Sequence, residues 1–115
     1  MASYMMLLYR SDAEAAEAAM RERESALWDE LNQRLQEAGL LVASGRLLPV
    51  DTATTVRIRS EEVELTDGPF AATRETLAGF YVLDCADLDE ALAEAARFPL
   101  ARYGSVEVRP VAMDA

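Results

Sequence analysis

The side chains best placed to do chemistry in this sequence follow one another closely. Asp67 opens the turn Asp67-Gly68-Pro69-Phe70, Arg74 and Glu75 come next, and Tyr81 lies in the apolar run behind them. Asp67, at a turn just ahead of a strand, has the position of a pocket acid or base, and Glu75 is the second carboxylate of the group. Arg74 and Glu75 together can bind an anionic ligand and orient Asp67. Phe70 and Tyr81, joined by Tyr9, can line an aromatic pocket for a cyclic ligand. Each has a plainer reading beside it. A short Asp at the start of a Gly-Pro turn bonds nearby backbone N–H groups, an adjacent Arg and Glu form a structural ion pair, and aromatic residues on central strands belong to a core or an interface.

What the sequence lacks narrows the chemistry further. It has no His, and all 11 of its basic residues are Arg. Ser-His and Cys-His pairs are therefore excluded, as are Schiff-base and pyridoxal phosphate anchoring and the usual phosphate loop. A zinc site would have to rest on carboxylates and the single thiol of Cys85, so neither metal nor organic cofactor is expected. Asp84, Asp87 and Asp89 lack the spacing and glycine of a calcium loop, and Asp87 is accounted for as a helix cap. Cys85 reads as buried filler at a strand end, with a reactive thiol as the alternative because a helix follows it. Ser44 and Gly45 have neither a nucleophile-elbow context nor a base.

The charge is -10, from 21 acidic and 11 scattered basic residues, which argues against direct nucleic-acid binding. With 115 residues, 51% of them hydrophobic, the chain predicts one globular domain over 1–115. One Cys excludes an internal disulfide, and the apolar stretch at 4–9 is too short for a signal peptide or membrane span, so a cytoplasmic protein is expected.

The elements that must position these residues can be read along the chain. Residues 4–9 form a strand, and Ser11 with Glu14 has the form of a capping box opening a long helical stretch with a break or bend. Met20, Leu27, Leu31, Leu35 and Ala38 share one face of that helix, with Trp28 at its edge, and Gly39 ends it. A strand over 40–48 stops at Pro49, and 53–59 with 63–66 alternate as a half-buried hairpin. An apolar strand over 77–85, a second helix capped by Asp87 and Glu90 and closed by Pro99, and an alternating strand over 104–111 complete the set.

Without the inserted hairpin, the order is strand, helix, strand, strand, helix, strand. That is the α+β, ferredoxin-like split βαβ arrangement, with its first and third strands central because 4–9 and 77–85 are apolar on both faces. Right-handed crossovers place both helices on one face. The other apolar face needs a cover, and a second copy of the sheet supplies it, giving a homodimeric α+β barrel with a small cavity.

Thr66-Asp67-Gly68-Pro69-Phe70, Glu75 and Leu77-Ala78-Gly79-Phe80-Tyr81 resemble the signature of the DGPF branch of the YCII-related family. Tyr4 to Tyr9, Ala53 to Arg57 and Gly104 to Pro110 extend the resemblance nearly end to end, in family order and spacing. It implies a dimeric α+β barrel with a pocket in each subunit near the sheet and dimer interface. Some relatives have a proposed His and Asp pair, and related barrels include muconolactone isomerase and a dehydrochlorinase of aromatic degradation. This chain has no His, and the family's position counts back to about Trp28. The branch is also labelled as transcription-initiation or sigma-factor-associated. The first expectation is a dimeric small-molecule-binding domain. The alternatives are a cofactor-independent isomerase or lyase using carboxylates and a protein-interaction module linked to transcription.

Overall fold

The structure, a computed structural model, describes residues 2–11, 14–71 and 73–112, with side chains from Ser25 onward in the first helix. Strand β1 (Ala2–Ser11) is followed by α1 (Glu14–Glu37), β2 (Leu41–Arg46), the hairpin strands β3 (Thr54–Arg59) and β4 (Glu62–Asp67), β5 (Glu75–Cys85), α2 (Leu88–Ala95) and β6 (Ser105–Pro110). Short 3-10 turns at Val50–Thr52 and Pro99–Arg102 complete it. The main sheet has the order β2-β5-β1-β6 and is antiparallel throughout, with β3 and β4 forming a separate pair. The two strands apolar on both faces are the central ones, as the sequence requires. This is the ferredoxin-like α+β arrangement, with the hairpin inserted between its second and third strands.

The core lies on one face of the sheet. Tyr4, Met6 and Leu8 of β1 and Tyr81, Leu83 and Cys85 of β5 meet Leu31 and Leu35 of α1, Ala91 and Ala95 of α2, and Phe98 and Leu100 beyond it. On α1 the buried stripe is turned from the predicted one. Leu31 and Leu35 are buried and Trp28 packs against the core, whereas Leu27 is 41% exposed and Ala38 lies in solvent. The cause is aromatic, because Trp28 stacks over Tyr81 with ring centroids 6.2 Å apart and meets Phe98 edge-on. Met20 falls outside the described side chains.

The helix ends largely follow the sequence. Gly39, at φ +72°, closes α1 in a Schellman motif, with Leu40 N–H donating to the Leu35 carbonyl and Gly39 N–H to that of Gln36. Asp87 accepts from Glu90 N–H at 2.8 Å, and the Glu90 carboxylate accepts in return from Ala86 N–H. The start of α1 differs from expectation. Ser11 is the last residue of β1, paired with Glu75, and α1 runs unbroken from Glu14; residues 12 and 13 of that junction lie outside the described residues.

Burial of the hairpin also differs. Val56, Ile58, Val63 and Leu65 share one face of it, since Val56 pairs with Leu65 and Ile58 with Val63, and they are 60–68% exposed in a single chain. The opposite face pairs Arg57 with Glu64 and Arg59 with Glu62, a charge match that fixes the register. Ser60 and Glu61 both have positive φ, the requirement of the tight turn that suits strand twist, although neither is glycine.

One ion pair ties the helices together. Arg34 of α1 donates two hydrogen bonds, at 3.0 and 2.8 Å, to the carboxylate of Glu94 on α2, and Glu94 is buried. The shared hydrogen bonds hold the Arg34 guanidinium above its usual range. Removing the two partners should not be equivalent. Arg34→Met leaves a buried carboxylate without a donor and should cost about 2 kcal/mol, whereas Glu94→Gln leaves a guanidinium that can hydrate and should cost about 1 kcal/mol. Urea midpoints of the two variants check the order.

Candidate functional site

A cavity of about 520 Å³ opens between α1 and the helix-side face of the sheet. Three strands make its floor. Ser44 and Arg46 of β2 stand opposite Tyr81 and Gly79 of β5, so their side chains share the helix-side face, and Leu8 and Arg10 of β1 extend the floor past Gly79. One wall is α1, where Ser25, Trp28, Asp29 and Asn32 follow the three- and four-residue steps of a single helix face. Leu100 and Tyr103 close the far side.

Gly79 is needed here for reasons of space. A Cβ at this position would lie 2.8 Å from the Gly45 carbonyl oxygen, so only glycine lets β2 approach β5 under the cavity. Strand β5 also carries a bulge: the pairing steps from Gly79–Leu8 to Leu77–Tyr9, which leaves Ala78 as the extra residue. That shift turns Leu77 toward the opposite face, whereas Arg10, two residues after Leu8, keeps the helix-side face by the alternation of β1.

Tyr81 is the structural centre of the site. Its hydroxyl donates to Asn32 Oδ1, and its ring lies edge-on to Phe98 at 4.9 Å and stacks with Trp28. Burial pushes the Tyr81 hydroxyl above its usual pKa, and the bond to Asn32 offsets part of that rise. Arg46, Asp29 and Ser44 are exposed, and none of their side chains has a hydrogen bond or ion pair to another described residue. Among the described residues, the charged groups of the lining are Arg10, Arg46 and Asp29.

Of the candidate site residues Asp67, Phe70, Arg74, Glu75, Tyr81 and Tyr9, the structure brings only Tyr81 to this cavity. Asp67 ends β4 at the base of the hairpin and is exposed, Phe70 is 80% exposed, and Arg74 is exposed just before β5. Glu75 begins β5, half-buried opposite Ser11. Among the described residues, neither the Asp67 cap nor an Arg74–Glu75 ion pair is formed. The turn is held instead by Gly68 N–H donating to the Ala53 carbonyl at 2.7 Å and by Thr55 Oγ1 donating to the Gly68 carbonyl at 2.8 Å. Tyr9 lies on the face away from the helices, paired with Leu77.

The acidic trio is explained structurally. Asp84 accepts from Ser3 Oγ at 2.6 Å, Asp87 caps α2, and no group of three or more Cys, Asp or Glu among the described residues could hold a metal ion. Cys85 is fully buried, and its thiol is pushed up to about 11, first by burial and then by the carboxylates of Glu90, Glu94, Asp84 and Asp87. The acidic surroundings outweigh any help from the helix that follows, so the reactive-thiol reading is set aside.

Reasoning from sequence missed most of the lining. The signal was Ser25, Trp28, Asp29 and Asn32, a mixed polar and aromatic stripe on the inward side of an amphipathic helix. Ser44 and Arg46 were also legible as alternate residues on one strand face.

Fold and cavity together define a class, a ferredoxin-like α+β domain with an open cleft between its first helix and the sheet. The YCII-related domain model matches residues 2–113, and the chain belongs to the YCII-related family. It is similar to an uncharacterised protein of Rhizobium meliloti (strain 1021), R00369, with 40% identity over 114 residues that cover 96% of this chain and 92% of that protein. Trp28 is a wall of the cavity. Among the described residues, no helix is long and apolar enough to cross a membrane.

Two outcomes are expected from these contacts. Asp67→Ala should change stability by less than about 0.5 kcal/mol, because no bond is lost; a drop of about 1 kcal/mol in a denaturation series would restore the capping role. Cys85 should resist thiol reagents at pH 8 in the folded protein and react on unfolding. Because its folded pKa is raised, the unfolded thiol ionises first. Cys85 therefore stabilises the fold fully below about pH 9, and this contribution is lost as the pH rises toward 11. A Cys85→Ala variant should show a shallower loss across that window.

Proposed function

We propose that this YCII-related protein is a small-molecule-binding domain that works as a homodimer, with the cleft between α1 and the sheet as its binding site. The observation that carries the reading is the cleft itself. At about 520 Å³ it has the size of a small-ligand site, with aromatic walls and a few convergent polar groups. The absence of His leaves no counterpart of the His-Asp pair proposed for some relatives, and Asp29 is the one carboxylate in the lining among the described residues, so binding accounts for the site better than carboxylate-driven isomerisation.

The dimer is supported by the sheet face away from the helices. Met5, Leu7, Tyr9, Leu77, Phe80 and Val82 stand there half-buried, bordered by the Ser3–Asp84 bond at one margin and the Glu107–Arg109 ion pair at another. An apolar strip with a polar border is the form of an interface, and a second copy of the same sheet matches it in size and chemistry.

Two measurements test the reading. In the ultracentrifuge the protein should sediment as twice its 12.6 kDa chain at micromolar concentration, and Val82→Arg should give a folded monomer. A stable wild-type monomer would remove the dimer. In a ligand-observed NMR screen of small neutral and charged compounds, hits should disappear when Ser44→Phe fills the cleft. Hits indifferent to that filling, or none at all, would remove the binding site.

A further inference from the structure

We infer that the β3–β4 hairpin is an arm whose apolar face is covered by a second copy of this chain. The inference rests on the homodimer proposed above and adds the element that holds it together. Within one chain the hairpin stands apart: its two strands pack on each other and make only sparse contact with the other described elements. The radius of gyration is 16.1 Å, against about 13 Å for a compact domain of this length. A projecting element produces such an excess.

The arm has two unlike faces. Val56, Ile58, Val63 and Leu65 make one, and Arg57, Arg59, Glu62 and Glu64 stand on the other. This alternation belongs to a ribbon with one side packed and one in water, yet the four apolar residues are 60–68% exposed in a single chain. A two-stranded ribbon is marginal in water, and the turn adds a cost, since Ser60 and Glu61 hold positive φ without being glycine. Packing of the apolar face supplies the missing stabilisation.

Area selects the occupant. A stable interface takes about 800 Å² from each partner. The six apolar residues of the open sheet face are half-buried already and offer roughly 200–400 Å², too little for a stable dimer. The four hairpin residues add roughly 400 Å², and Leu48 and Phe70, which flank the arm in sequence and are 77% and 80% exposed, add roughly 300 Å² more. Sheet face and arm together reach the share that one copy must contribute, whereas the sheet face alone does not. Charge agrees with this choice. Two chains of charge -10 repel each other, so their association has to rest on uncharged surface, and the inner face of the arm carries no charged residue.

The test compares two double variants of the full chain by sedimentation equilibrium. Ile58→Glu with Leu65→Glu places acids on the apolar face, and Arg57→Gln with Arg59→Gln changes the net charge equally on the polar face. The first should weaken dimerisation by at least about a hundredfold and the second by less than about threefold. Both pairs lie outside the core of the chain, so Trp28 emission should stay native in each. Hydrogen exchange supplies a second readout: the cross-strand amides of the arm should be protected in the wild-type dimer and exchange freely in the Val82→Arg monomer, while those of β1 and β5 stay protected in both. Undiminished dimerisation of the Ile58→Glu, Leu65→Glu protein overturns the arm and leaves the homodimer standing. Arm amides that exchange freely in the wild-type dimer also overturn it, and leave this face to a different protein. A wild-type monomer overturns both the arm and the dimer.

Discussion

The contact between Tyr81 and Trp28 governs the architecture around the site. Tyr81 stands on a central strand, so its position is fixed by hydrogen bonds to strands on both sides. Its ring meets Trp28 and Phe98, and its hydroxyl reaches Asn32 one helical turn beyond Trp28. Helix α1 is thereby attached to the sheet through aromatic residues at one level and through Leu31 and Leu35 at another. Beside Trp28 the facing residues are Ser25, Asp29, Ser44 and Gly79, which are too small or too polar to fill the space, and the cleft opens there. The same contact explains why the buried stripe of α1 turns away from Leu27.

A second constraint is the two-sided character of β1 and β5. One face supplies the core through Tyr4, Met6, Leu8, Leu83 and Cys85, and the other leaves an apolar strip with a polar border. A chain that spends its central strands in this way covers one side with its own helices and leaves the other as a half-buried apolar face. The β3–β4 hairpin likewise exposes an apolar face, and a two-stranded ribbon is marginal in water without packing.

The fold was legible because it depends on features written locally. Runs apolar on both faces marked the central strands, Gly39 and Asp87 marked helix ends, and alternation marked β3, β4 and β6. The cleft was far less legible. Its chemistry comes from β1, α1, β2, β5 and the turn after Phe98, brought together only by the sheet order and helix packing. Attention went to the compact Asp67 to Glu75 segment because its residues are neighbours in sequence. In space that segment leads away from the helix-side face, and Tyr81, six residues beyond Glu75, is the first of the group to reach the cleft. Arg46 drew no notice because a single arginine at a strand end looks like an ordinary solvated charge.

The most direct test of the cleft as the functional site is a chemical-shift map of the protein titrated with a compound that binds it in the ligand-observed screen. The account predicts shifts at the Trp28 indole and at Asn32, Ser44, Arg46 and Tyr81. Shifts centred instead on Asp67 to Glu75, with the Trp28 indole unmoved, would contradict it.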